Sequence, residues 1–219
     1  DCMSERWDTG VAISHTHLDL LKRMVERGTP GNVLEIGTAG GGSALCLMEL
    51  VPDQEHLIVT VDPWGSKPYE TSGARYGENY QRGAMAALGY WADRTHVNWH
   101  HCKMTAHQFL EGHAVDGCWY GGEWRQYLFH TIFLDGEHTI KHVLSELHAV
   151  HSQGMLAEHG VIFVDNANHP QDVNEGGPSN THDHSMEIAL TNWADEKSYT
   201  CEFTRCIDGD LLAELRRRT

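Results

Sequence analysis

The sequence predicts an α/β fold: a doubly wound, mostly parallel sheet with an antiparallel C-terminal hairpin at its edge. Three observations support it. Short apolar runs alternate with amphipathic runs, which means βαβ units and a parallel sheet. The last two apolar runs, in "YTCEFTRCIDGDLLAEL", flank the turn "DGD" and read as two paired strands. Every chemically distinctive motif falls at the carboxyl end of a predicted strand, where open α/β sheets bind their ligands.

In "HLDLLKRMVERG", residues 17–28, the apolar Leu18, Leu20, Leu21 and Met24 recur at helical spacing, and Gly28 is a stop. "NVLEIG" is a short buried strand ending in glycine, and "GGSALCLMELV" is the next helix. "HLIVTVD" is a second strand ending at Asp62. Residues 63–95 are rich in Gly, Tyr and Trp and carry only a weak helical pattern near Tyr80 to Leu88. "HVNWHHC" predicts a third strand, with a short helix after it at about Thr105 to Glu111. "YLFHTIFLD" is a fourth strand, "HVLSELHAVHSQ" an amphipathic helix, and "GVIFVD" a fifth strand. After a polar loop, "SMEIALTNWADE" is helical and leads into the hairpin.

With 219 residues, 40% of them apolar, the chain reads as one domain over 1–219 with a sizeable core. No apolar run approaches the roughly 20 residues that span a bilayer, and no secretory leader is read at the start. The six cysteines form no CxxC pair, so they are expected as reduced thiols of a cytoplasmic protein. The formal charge of −15 repels phosphate backbones, which argues against nucleic acid as a partner; it suits a cationic ligand or a metal ion. The 17 histidines are spread along the chain, and their number alone does not indicate metal. A homo-oligomer is compatible with the sequence, which says nothing firmer about assembly.

Two constellations carry chemistry. "VLEIGTAGGGSAL" places Glu35, Gly37, Gly40, Gly41 and Gly42 on a strand-turn-helix, with Ser43 near the helix start. Glycine lets such a turn take positive φ and approach a ligand without a Cβ. The bland reading is a plain tight βα turn. Asp62, ending the next strand, can accept hydrogen bonds from both hydroxyls of a ribose, or simply cap the chain before Pro63. The second constellation is "TIFLDGEHTI" with "VIFVDNANHP", which set Asp135, Asp165 and Asn166 at two strand ends. Two carboxylates and an amide, with room for water, suit Mg²⁺ better than zinc. The bland reading is that Asp165 and Asn166 cap the following segment. Glu137 is read as a local cap and His169 as loop surface.

The pattern E-x-G-x-x-x-G-x-S in "EIGTAGGGS", followed by "VTVDPW", resembles the S-adenosylmethionine site of class I methyltransferases, which share a Rossmann-like fold. It is most similar to the metal-dependent small-molecule O-methyltransferases of the catechol and caffeoyl-CoA type and the related antibiotic and sugar enzymes. The similarity covers most of residues 11–170 and departs at 63–95 and 112–126, which look like insertions. It implies that Glu35, Gly37, Thr38, Gly41 and Ser43 line the methionine part of the cofactor, and that "GVAIS", residues 10–14, covers it. It implies that Asp62 binds the ribose and that Trp64 and Met104 flank the adenine. Asp135 is shared between cofactor and metal, with Asp165 and Asn166 completing the metal triad. His138 falls where the catechol enzymes carry a lysine base, and an imidazole titrating near neutrality is a competent general base; the bland reading is a histidine that only orients Asp135 or Asp165.

The expectation is therefore a Mg²⁺-assisted O-methyltransferase acting on a hydroxyl of a small molecule such as a sugar, polyol or catechol. Metal-independent transfer to another acceptor is the second reading. A non-catalytic protein that binds S-adenosylmethionine or S-adenosylhomocysteine is the third. A nicotinamide oxidoreductase fits less well because the glycine spacing is wrong. Tyr69, Arg75, Tyr76 and Tyr80 could equally line a substrate pocket or pack a lid.

Overall fold

The computed structural model describes residues 18–63, 78–115, 127–167, 184–205 and 211–219. The elements run α1 Leu18–Arg27, β1 Val33–Ile36, α2 Gly42–Leu47, β2 Leu57–Val61, α3 Glu78–Thr95, β3 Asn98–Cys102 and α4 Ala106–Val115. Then come β4 Phe129–Leu134, α5 Ile140–Ser152, β5 Leu156–Val164, α6 Ser185–Lys197, β6 Tyr199–Arg205 and β7 Leu211–Arg217. The seven strands order as β3-β2-β1-β4-β5-β7-β6, parallel from β3 through β5 and antiparallel at β7 and β6. The fold expected from the sequence is the fold observed.

Successive strand side chains face opposite sides of the sheet, and both sides are covered. Leu34, Ile36, Ile132, Leu134, Ile162 and Val164 pack toward α4, α5 and α6. Val33, Phe133, Val161 and Phe163 pack toward α1, α2 and α3. Two-sided burial is why β1 and β2 are apolar at nearly every position and show no alternation. β3, at the edge, is half exposed and reads accordingly as Asn-Trp-His-His-Cys.

Two elements exceed what the sequence suggested. The weak pattern near Tyr80 to Leu88 is an 18-residue helix, α3, which makes the crossover from β2 to β3. Its buried face is Ala84, Ala87, Leu88, Trp91 and Ala92, a regular helical stripe. The stripe was obscured because alanines write much of it and Gly83 and Gly89 interrupt the helix propensity. Residues 78–95 of that segment thus form the crossover helix, and residues 64–77 lie outside the described residues. β5 begins at Leu156, upstream of the predicted "GVIFVD". Exposed Glu158 and His159 hide the extension, and its register against β4 shifts between Phe129 and Thr131.

The hairpin is tied to α1 by charge. Arg27 donates to Glu214 Oε1 at 3.0 Å and to Glu202 Oε2 at 2.8 Å, and Arg216 Nε donates to Glu214 Oε1 at 2.7 Å. Among the described residues Cys46, Cys102 and Cys201 are free thiols; Cys2, Cys118 and Cys206 lie outside them. Among the described residues no helix is long and apolar enough to cross a membrane.

Candidate active site

The parallel ladder positions the site. One residue past the end of its strand, Asp62 N donates to Cys102 O at 3.1 Å, and Gly37 N donates to Val61 O at 2.9 Å. Asp135 N donates to Ile36 O at 2.7 Å, and Asp165 N to Leu134 O at 3.1 Å. Four strands about 4.8 Å apart therefore end on a row reading Asp62, Gly37, Asp135, Asp165. The predicted cofactor turn and the predicted metal ligands stand side by side on one edge.

At the turn, Gly37 has φ 92° and Gly41 φ 82°. Glycine is required at 37 for a reason other than ligand approach. A Cβ there would overlap the carbonyl oxygen of Asp135, so the turn packs directly on the neighbouring strand end. Asp62 is buried, and its Oδ2 accepts from Thr38 N at 3.1 Å and Ala39 N at 2.9 Å. The carboxylate thus bonds the backbone of the glycine turn from the end of the next strand. Glu35 is fully buried, its Oε1 accepts from Ser43 Oγ, and its Oε2 meets no well-aligned donor, with the Thr38 hydroxyl in reach of the carboxyl. Burial pushes its carboxyl up to about 8, with the Ser43 hydrogen bond opposing. An unpaired buried acceptor of this kind costs about 1–3 kcal/mol, which an ammonium ligand would recover.

The second group lies one strand over. Ligand atoms of Asp135, His138 and Asp165 all fall within 4.8 Å of one another. His138 Nε2 is 3.4 Å from Asp135 Oδ1. Asp165 is 3% exposed; its Oδ1 meets no N–H or hydroxyl donor, and its carboxyl lies within hydrogen-bond reach of the Asp135 carboxyl. Its Oδ2 accepts from Asn166 Nδ2 at 2.7 Å. Asn166 holds φ 51°, a left-handed backbone that Asn tolerates. Burial and then the Asp135 charge push the Asp165 carboxyl well above its ordinary value. Burial opposes the charged form of His138, but Asp135, Asp165 and Glu146 outweigh it and hold the imidazole above its ordinary range. Two carboxyls are thus crowded beside one imidazole, an arrangement that a bound cation would satisfy.

Glu146, on α5, was missed by the sequence reading. It is 6% exposed among Val143, Leu147 and Val150, and burial pushes it up to about 8. An acid inside the apolar stripe of "HVLSELHAV" was the available signal. Glu137 is not the cap of α5: Thr139 is, accepting from His142 N, while Glu137 Oε1 sits 3.2 Å from His142 Nδ1. Met104 packs half-buried against the core beyond β3. Trp64, His169, residues 10–14, and Tyr69, Arg75 and Tyr76 lie outside the described residues, and of Tyr80 only the backbone is described.

The family described as "Methyltransferase domain" matches residues 34–167. That stretch holds both groups. No curated protein sequence matches the chain. Among solved structures, an S-adenosylhomocysteine-bound methyltransferase from Podospora anserina is 18% identical with TM-score 0.60, over 100% of this chain and 88% of that one. A putative caffeoyl-CoA O-methyltransferase from Staphylococcus aureus is 16% identical with TM-score 0.57, over 94% and 85%. The O-methyltransferase TomG of tomaymycin synthesis from Streptomyces achromogenes, solved with S-adenosylmethionine, is 16% identical with TM-score 0.57, over 100% and 90%. At these identities the neighbours speak for the fold, and the family match speaks for the activity: the chain belongs to the methyltransferase-domain family and is a methyltransferase with a Rossmann-like fold.

Proposed function

We propose that the chain moves the methyl group of S-adenosylmethionine to a hydroxyl of a small molecule, with a divalent cation at the ends of β4 and β5. One observation carries the reading: the row that seats the glycine turn and Asp62 beside Asp135 and Asp165. The resemblance to catechol-type and caffeoyl-CoA-type enzymes, and two structural neighbours described as O-methyltransferases, favour oxygen as the acceptor.

Glu35 Oε2, orphaned and buried, fits the ammonium of the cofactor's methionine end, with Ser43 beside it. Gly37, Thr38 and Gly41 offer backbone along that end. Asp62 serves the ribose, and Trp64 and Met104 the adenine. Asp135 and Asp165, with Asn166, fit a cation because a buried carboxylate oxygen there lacks any donor. When bound, the cation lowers the pKa of a substrate hydroxyl and fixes its position. In the transfer the sulfonium loses its S–CH₃ bond, an O–CH₃ bond forms, and the hydroxyl proton must leave. The sequence reading gives that proton to His138, whose Nε2 faces Asp135.

The test is a mass screen with S-adenosylmethionine, Mg²⁺ or Mn²⁺, and a panel of catechols, vicinal diols and sugars. A product heavier by one methylene, lost with chelator, is expected. Equal turnover in chelator would remove the cation. Methylation confined to nitrogen or carbon acceptors would remove the hydroxyl.

A further inference from the structure

We infer that His138 Nε2 is itself a cation ligand alongside Asp135 and Asp165, and that this donor set favours a transition-series divalent ion such as Mn²⁺, Co²⁺ or Zn²⁺ over Mg²⁺. The inference rests on the cation-assisted reading and changes its donor set. The sequence pointed to three oxygens, from Asp135, Asp165 and Asn166. Among the described histidine, cysteine and acidic side chains, the structure gathers two carboxylate oxygens and an imidazole nitrogen within 4.8 Å of one another.

Three observations support the exchange of Asn166 for His138. First, ligands each about 2.1 Å from one ion stand roughly 3.0–3.4 Å apart at octahedral or tetrahedral angles. His138 Nε2 and Asp135 Oδ1 are already 3.4 Å apart. Second, the orphan atom of Asp165 is Oδ1, in a side chain 3% exposed, while Oδ2 is occupied. Third, the occupant of Oδ2 is the amide nitrogen of Asn166. An amide that donates to a carboxylate turns its own oxygen away from it. Asn166 therefore braces Asp165 and aims the free oxygen, a support that metal sites commonly use.

Donor chemistry then selects the ion. Mg²⁺ prefers oxygen donors in near-ideal octahedral geometry and keeps several waters. Imidazole suits transition ions, whose affinity for mixed nitrogen and oxygen sites rises from Mn²⁺ toward Cu²⁺. In the loaded protein His138 is then no longer the base, and the hydroxyl proton leaves to water or a carboxylate.

The test reads binding without a substrate. The metal-free protein is titrated calorimetrically with Mn²⁺ and separately with Mg²⁺, and the Mn²⁺ form is studied by pulsed EPR for ¹⁴N coupling. Nitrogen coupling is expected in the unchanged protein and absent in His138→Ala. Mn²⁺ should bind about tenfold or more tighter than Mg²⁺, a preference that shrinks to a few-fold in the variant. S-adenosylhomocysteine binding reports that each variant is folded; His138→Gln repeats the measurement should the alanine variant lose it. Missing coupling in the unchanged protein, coupling that persists in His138→Ala, or equal Mg²⁺ and Mn²⁺ affinities would overturn the inference. The first is what a protonated His138, merely paired with Asp135 and displaced by the ion, would give. Failure of both ions to bind, with S-adenosylhomocysteine still bound, would remove the cation reading as well and leave methyl transfer standing.

Discussion

The glycine turn after β1 and the acid cluster after β4 and β5 both bury carboxylates, but they satisfy them differently. At the turn the chain supplies donors: Thr38 and Ala39 N–H to Asp62, and the Ser43 hydroxyl to Glu35. In the cluster the carboxyls face each other and an imidazole; each region also leaves one buried carboxyl oxygen without a donor, Glu35 Oε2 at the turn and Asp165 Oδ1 in the cluster. The turn is largely built before any ligand arrives. The cluster shares its charge between two carboxyls and an imidazole, and burial and the neighbouring acid push the Asp165 carboxyl well above its ordinary value. Changes that break hydrogen bonds should therefore hurt the turn, while changes that remove charge should relax the cluster.

Gly37 joins the two regions, and its replacement should have the largest effect. Gly37→Ala places a Cβ on the Asp135 carbonyl oxygen at φ 92°. Overpacking and a left-handed backbone together cost about 3–5 kcal/mol. Thermal unfolding should fall by roughly 10 °C, and both cofactor and cation binding should weaken. An unchanged melting temperature would mean that the turn and the strand end do not touch.

Glu35 separates the regions by pH. Its carboxyl rises from 4.5 in the unfolded chain to about 8 in the native protein. Between these values the native state keeps a proton that the unfolded state has lost, so stability falls as pH rises through that window. The ligand-free protein should lose about 2–4 kcal/mol from this group between pH 5 and 8. Glu35→Gln should flatten the decline, measured by denaturant unfolding at several pH values, and bound S-adenosylmethionine should flatten it too. A decline of the same slope in Glu35→Gln would move the cause to other acids, Glu146 first.

The carboxyl-edge row was legible in the sequence because each of its members follows an apolar run directly: "EIG", "VTVD", "FLD" and "FVD". Parallel pairing then aligns the run ends with no further information. Side-chain direction was not legible. The spacing of Asp135 and His138 does not say that Nε2 turns back onto the carboxylate. Nor does the pair Asp165-Asn166 say that one braces the other. Glu146 went unread because amphipathic reasoning expects apolar residues on a buried face. Helix α3 was under-read because alanine supplies burial with little hydrophobic signal.

Asp165→Asn tests the charge on the cluster side. An asparagine carbonyl can still accept from Asn166, but the buried charge is gone. The metal-free protein should gain about 1–2 kcal/mol at pH 8, read by chemical denaturation, while Mn²⁺ binding is largely lost. A destabilised variant would show that the carboxylate is satisfied by the protein itself, and the contrast between the two regions would fail.

Asp62→Asn makes the smallest change on the turn side and separates its two roles. The asparagine oxygen can replace Oδ2 as acceptor for Thr38 and Ala39 N–H. The turn should therefore survive, with thermal unfolding within about 2 °C of the unchanged protein. What goes is the charge that strengthens a hydrogen bond to a ribose hydroxyl, worth about 1 kcal/mol. S-adenosylmethionine affinity should drop about fivefold by calorimetry. Asp62→Ala removes the acceptor as well, leaving two backbone N–H groups without it, and should cost about 1–3 kcal/mol more. If asparagine and alanine weaken binding equally and neither lowers stability, Asp62 acts on the ribose alone. If alanine unfolds the turn and asparagine leaves affinity untouched, Asp62 is a cap for the turn and the ribose is held elsewhere.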